Sequence, residues 1–170
     1  MNTKFVRMSG ALVAVALIGI PAMSPTMAAE IVKPGRAHVT PQIKIDDPAT
    51  LAEVTAAFDR YEVALVTNDV AVLDELFWNS PTTLRYGPAE NLYGTAEIAA
   101  FRAARPSVGL ARTVTKKVIT TYGKSTATAN IEFTREGNPR VGRQSQTWIK
   151  MPEGWRIVAA HVSLMELPKP

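Results

Sequence analysis

The spacing of apolar positions changes several times along the chain, and each change marks an element. Residues 11–20 carry no polar side chain at all. Farther on, Leu51, Val54, Phe58, Tyr61 and Leu65 recur at intervals of three and four, the spacing of one face of a helix. Asp47-Pro48 supplies an N-cap followed by proline at the first helical position, so a helix is expected over 48–67. Asn68-Asp69 breaks it, and Val72, Leu73, Leu76 and Phe77 predict a short second helix over 70–77.

Two short β-prone pieces, 82–86 and 91–93, flank Gly87-Pro88-Ala89-Glu90. A third helix follows, capped by Thr95 and running to about Arg105, where Pro106 and Gly109 end it. Four longer β-prone runs come next, over 112–122, 126–135, 143–151 and 155–164. The breaks between them, Gly123-Lys124, Gly137-Asn138-Pro139 and Pro152-Glu153-Gly154, read as hairpin turns. Helices early and long strands late predict an α+β domain, a cone in which a curved antiparallel sheet wraps around the N-terminal helices and leaves an open mouth. The sheet face outside such a cone commonly pairs with a second copy, so a homodimer is expected.

The opening segment is set apart from this fold. Lys4 and Arg7 precede the apolar stretch, and Pro21, small residues and Thr26-Met27-Ala28-Ala29 follow it. That order is the pattern of a secretory signal peptide over 1–29. The stretch is shorter than the roughly 20 apolar residues of a membrane span, so no stable membrane insertion is expected after cleavage. The protein is expected to be exported to the periplasm. Residues 30–47, with Pro34, Gly35 and Pro41 and no sustained period, read as a poorly ordered tether, and the domain as 48–168.

Charge and composition then narrow the chemistry. The 170-residue chain has 19 Lys plus Arg, 15 Asp plus Glu, two His and no Cys. Removing the signal segment takes away Lys4 and Arg7 and leaves a net charge of +2. The remaining cations are scattered without a basic, aromatic-interleaved block, so a nucleic-acid partner is not expected. With no thiol and two imidazoles, neither a thiolate metal cluster nor a cysteine nucleophile can be built, and no metal site is expected. No G-x-S-x-G, H-E-x-x-H or glycine-rich phosphate loop occurs.

A few side chains are left as candidates. Tyr61 lies on the apolar stripe of the first helix, so its ring points inward and its phenol needs a partner there; a core tyrosine bonded to backbone is the plainer alternative. Arg85 sits in a short strand, and if it points inward it needs an anion: Glu132, Glu90, or the carboxylate of a bound substrate. His161 falls in the phase of Trp155, Ile157 and Ala159, which makes it a pocket-lining candidate or a satisfied core histidine. In the polar run 143–146, alternation sets Gln144, Gln146 and Trp148 on one face and Arg143 and Ser145 on the other, unless a β-bulge exchanges them.

Phe58-Asp59-Arg60-Tyr61-Glu62, Leu65-Val66-Thr67-Asn68-Asp69 and Leu73-Asp74-Glu75-Leu76-Phe77-Trp78 resemble the AtzH-like family, which includes the oxalurate-catabolism protein HpxZ. Leu84-Arg85-Tyr86-Gly87, Glu90-Asn91-Leu92-Tyr93-Gly94, 142–148 and 158–163 follow in that family's order and spacing. The resemblance implies a SnoaL-like domain of the nuclear-transport-factor-two-like superfamily. It also implies a decarboxylating amidohydrolase that acts on 1,3-dicarboxyurea without metal or organic cofactor. The family's tyrosine and arginine pair falls on Tyr61 and Arg85, and the shared motifs add Tyr86, Asn91, Arg143, Gln146 and His161 as substrate-binding candidates. Arg85 would orient a carboxylate through two parallel N–H bonds, and Tyr61 would deliver a proton to the nitrogen from which carbon dioxide departs. Two other readings stand beside this one: an exported, non-catalytic module that captures a small carboxylate, and a dimeric scaffold.

Overall fold

The computed structural model describes residues 42–167. The expected signal peptide and the first part of the tether lie outside them. The chain forms α1 (Pro48–Thr67), α2 (Val70–Leu76), β1 (Leu84–Tyr86), β2 (Asn91–Tyr93), α3 (Gly94–Ala104), β3 (Thr113–Tyr122), β4 (Thr126–Arg135), β5 (Asn138–Met151) and β6 (Gly154–Met165). The strands make one curved six-stranded sheet in the order β2-β1-β6-β5-β4-β3. All neighbours are antiparallel except β1 and β6, whose parallel pairing joins the two early strands to the late meander.

The first helix starts and stops where its sequence says it must. Asp47 accepts from the Thr50 backbone N–H, Pro48 needs no hydrogen-bond partner at the first position, and Asn68 turns left-handed at φ 56° to end the helix. Asn is among the few non-glycine residues that adopt that conformation readily. The stripe Val54, Phe58, Tyr61, Ala64 and Leu65 is buried. It packs with Leu73, Leu76, Phe77 and Ile98 from the helical side and Ile131, Phe133, Trp148 and Ile157 from the sheet in one core. Arg102 of α3, 4% exposed, pairs with Asp74 of α2 and lies 4.2 Å from the Phe77 ring centroid, so it locks the two shorter helices together.

Three local departures from the sequence expectation have physical causes. Thr95 does not cap α3; its hydroxyl is taken by Ser80, accepting from that residue's N–H and donating to its carbonyl. The helix begins two residues earlier, at Gly94, and Glu97 reaches back to the Tyr93 N–H in place of a hydroxyl cap. β5 begins at Asn138, because the turn closes on Glu136-Gly137 with Arg135 already opposite Asn138. The end of the expected tether is attached to the sheet: Ile45 bridges Tyr122, and Asp46 donates its backbone N–H to the Thr121 carbonyl and accepts the Thr121 N–H through its carboxylate.

Candidate functional site

Between α1, the end of α3 and the inner sheet face lies a cavity of about 200 Å³. Its polar lining is Tyr61, Arg85, Arg105, Arg112, Arg135, Asn138 and Gln144. Its apolar wall includes Leu65, Phe101, Leu110, Phe133, Val162 and Leu164. Four guanidiniums border this small, largely apolar space, two of them paired with carboxylates, which leaves it net positive.

Tyr61 reaches the cavity because it continues the α1 stripe, with its ring 6.3 Å from Phe58 and 6.5 Å from Phe77 between centroids. Its hydroxyl donates to Gln144 Oε1 at 3.4 Å. Arg85 faces inward because it stands opposite Ala160 of β6, whereas Leu84 and Tyr86 stand opposite Ala159 and His161 and face out. The Arg85 guanidinium lies 5.1 Å from the Phe101 centroid and donates through Nη1 to Glu90. Of the three acceptors open to Arg85, Glu90 is the one it meets.

Arg112 holds the other end of the Tyr61 contact. Its side chain is 1% exposed, clasps both oxygens of Glu62 and lies 4.5 Å from the Phe133 centroid. Nη1 and Nη2 both donate to Gln144 Oε1 at 3.2 Å. A guanidinium has only donors, so the amide oxygen is fixed toward Arg112 and Tyr61. The Gln144 Nε2 therefore points elsewhere, buried and without a protein partner.

The remaining two cations are less well provided for. Arg105 donates from Nη2 to Asn68 Oδ1 at 2.9 Å, and Arg135 from Nη1 to the Gly109 carbonyl at 2.7 Å. The Nε of each is buried and unpartnered. Among the described residues neither meets a carboxylate at ion-pair distance. Burial, then repulsion from Arg85, Arg102 and Arg135, pushes the Arg105 guanidinium below its ordinary pKa; burial and Arg112 do the same to Arg135. Arg135 and Asn138 also border a wider open groove of about 740 Å³.

A family model described as AtzH-like matches residues 43–168. The chain belongs to the AtzH-like family. Among solved structures, it is 65% identical to a protein of unknown function of the DUF3225 family from Pectobacterium atrosepticum, over 72% of this chain and 95% of that one, with a TM-score of 0.71. A cystatin-like fold protein from Burkholderia xenovorans is 44% identical over 74% and 99% of the two chains, also at 0.71. A nuclear-transport-factor-2-like superfamily protein from Salmonella enterica serovar Typhimurium is 28% identical over 71% and 94%, at 0.58. No curated protein matches.

The motif residues of this AtzH-like chain divide between the two faces of the sheet. Tyr61 and Arg85 meet around the cavity. Gln146 is on the inner face but outside the cavity lining; its Oε1 accepts the Trp148 indole N–H at 3.2 Å, a structural task in the core. Tyr86, Asn91, Arg143 and His161 do not line the cavity, so the fold does not bring them together with Tyr61 and Arg85 there. His161 departs for a definable reason: β6 slips by one residue at Val158, where Thr147 pairs with Ala159 but Trp148 pairs with Ile157. That bulge reverses the alternation, so Trp155 and Ile157 point in while His161 is exposed beside Tyr86, 6.1 Å between ring centroids. Arg143 alternates with buried Gly142 and Gln144 and is exposed, and Asn91 stands opposite Tyr86.

Sequence reasoning missed Arg105, Arg112, Arg135 and Gln144. Two of them carried a signal. Arg135 continues the inward series Ala127, Ala129, Ile131, Phe133, and Gln144 shares the phase of Trp148. Arg105 and Arg112 flank the elements where no period operates.

Proposed function

We propose that this AtzH-like protein is a cofactor-independent decarboxylating amidohydrolase or lyase for a small carboxylated urea or amide, such as 1,3-dicarboxyurea or oxalurate. The observation that carries this reading is that the Tyr61 hydroxyl and the Arg85 guanidinium border one cavity of about 200 Å³. That volume is below the roughly 300–1,000 Å³ of sites for drug-sized molecules, which suits a substrate of a few heavy atoms.

In the proposed reaction Arg85 grips the planar N-carboxylate and Tyr61 gives its proton to the adjacent nitrogen. The C–N electron pair stays on nitrogen, carbon dioxide leaves, and water returns a proton to the phenol oxygen. One proton is consumed overall. Gln144 holds the hydroxyl at the start. The decarboxylating step applies to the N-carboxylate of 1,3-dicarboxyurea; oxalurate, whose carboxylate is bonded to carbon, would instead be hydrolysed by water at its amide C–N bond to urea and oxalate. The test is incubation of the purified protein with each, following carbon dioxide release from the first and urea and oxalate from the second. Turnover of either that falls at least tenfold in Arg85→Lys, which has a point charge in place of a planar fork, supports the reading; no turnover of either overturns it.

A second reading, a non-catalytic dimeric or partner scaffold, is favoured by the internal pairing of Arg85 with Glu90. Calorimetric binding of carboxylates without product would select a carboxylate-binding module instead, and no binding at all would leave the scaffold. We further propose export of the chain with cleavage near Ala29, checked by cell fractionation and the mature N-terminal sequence. A homodimer through the outer sheet face is also proposed. Support for it comes from Tyr93 and Val118, 56% and 46% exposed; a dimer by sedimentation that Val118→Glu dissociates would establish it, and a monomer would exclude it.

A further inference from the structure

Three buried donors without a partner belong to residues that line this one cavity: Arg105 Nε, Arg135 Nε and Gln144 Nε2. Buried donors are nearly always satisfied in folded proteins, and an unpaired one is costly. Gln144 is 2% exposed, so its orphan amide is the most costly of the three.

The charges point the same way. Of the four lining arginines, Arg85 is balanced by Glu90 and Arg112 by Glu62. Arg105 and Arg135 have only a neutral oxygen each, from Asn68 and Gly109. Both side chains are half-buried with the Nε enclosed, so each guanidinium is drawn partly out of water without a counter-charge. Burial and the neighbouring cations already bias both guanidiniums against their charged form, so an anion entering here relieves an existing penalty.

The four arginines are also arranged unequally. Arg112 is committed to Glu62 and to Gln144 Oε1, which leaves Gln144 Nε2 as a fixed neutral donor. Arg105 comes from the end of α3 and Arg135 from the end of β4, so they approach from separate elements, while Arg85 stands on β1. We infer that Arg105, Arg135 and the Gln144 amide form a second anion subsite, which selects short ligands carrying one anionic group for Arg85 and another for this trio.

The inference rests on the reading of the cavity as a carboxylate site and adds the residues that set its specificity. Arg105 and Arg135 bind and select; they take no part in proton transfer. The preferred ligand class is a dicarboxylate whose two groups are joined by few atoms, because the cavity is too small for a long spacer.

Calorimetry with acetate, glutarate and pimelate tests it in parallel with the turnover assay; glutarate has the three-atom spacer of 1,3-dicarboxyurea. The parent protein should bind glutarate at least tenfold more tightly than acetate or pimelate. Arg105→Gln and Arg135→Gln should each lower glutarate affinity far more than acetate affinity and so erase the preference, and Arg85→Gln should weaken both. Arg135→Lys, which keeps the charge and guards against a folding defect at the Gly109 contact, should retain part of the preference. Equal affinity for acetate and glutarate in the parent, or a preference unaltered in Arg105→Gln and Arg135→Gln of parental unfolding midpoint, overturns the subsite and leaves the proposed reaction standing. Glutarate selectivity without turnover keeps the subsite and removes the reaction. Binding of none of the three acids removes the subsite along with the carboxylate reading.

Discussion

Tyr61 and Gln144 meet through a single oxygen, the amide Oε1, on which two N–H groups of Arg112 also converge. Three donors on one acceptor fix the amide orientation without any help from the cavity side. The phenol is thereby held at a defined place on the cavity wall, and the amide N–H₂ is aimed away from the arginine that orients it. The hold on the phenol is loose at 3.4 Å, which leaves the hydroxyl free to exchange its acceptor for a ligand atom.

Gln144→Glu tests that arrangement with almost no change of shape. The new carboxylate would bind Arg112 at least as well, so the thermal midpoint should hold or rise. It also removes the free N–H₂ and adds a negative charge to a cavity proposed to take anions. Affinity for a small carboxylate should fall by tenfold or more, about 1.4 kcal/mol. Titration calorimetry on the two proteins decides it, and unchanged affinity would mean that Gln144 does not face the ligand.

Tyr61→Phe separates the ring from the proton. The ring contacts with Phe58 and Phe77 survive, and only one long hydrogen bond is lost, so stability should change by less than about 1 kcal/mol. If the phenol is the acid, kcat should drop by roughly 10²–10⁴-fold with KM little changed. A drop in kcat matched by a rise in KM would make the hydroxyl a binding group instead.

Gly142→Ala addresses the wall of the cavity. A Cβ at this inward position of β5 would lie 2.2 Å from the tip of the Phe133 ring, so the ring must move. Phe133 underlies Arg112 at 4.5 Å and Arg135 at 5.6 Å, so both cations would shift with it. Overpacking of this kind costs about 1–3 kcal/mol, readable in urea denaturation, and anion binding should weaken as well. A stable variant with parental binding would show that the ring position is not what sets the arginines.

How much of this was legible depends on where the information sits. α1 was readable to the residue because its stripe, its Asp47-Pro48 start and its Asn68 stop are all local. Tyr61 was placed correctly for the same reason. His161 was not, because the bulge at Val158 is a property of how β6 pairs with β5 and β1 rather than of the β6 sequence. Arg105 and Arg112 stand just outside regular elements, where alternation and helical period make no statement about direction. Arginine in such places is ordinarily solvated, and only the packed fold reveals that Phe101, Leu110 and Phe133 have closed around them.

The start of α1 gives a prediction in acid. The Lys44 ammonium, which donates to Asp47, and the Thr50 backbone N–H together hold the Asp47 carboxyl at about 2, below its ordinary 3.8. A depressed native value means that the carboxylate contributes to stability above the unfolded-state value and that this contribution is lost as pH falls through the native one. The parent should therefore be more stable than Asp47→Ala at pH 5, with the gap narrowing from about pH 4 downward and most of the ionic part lost by about pH 2. Because Asp47 is at the surface and its partner Lys44 is largely exposed, salt should shrink the gap at pH 5 as well. Urea midpoints of the two proteins across this range, at low and high salt, make the comparison. A gap that stays constant from pH 5 to pH 2 would assign the capping role to the neutral side chain and leave the Lys44 pair without effect on the helix.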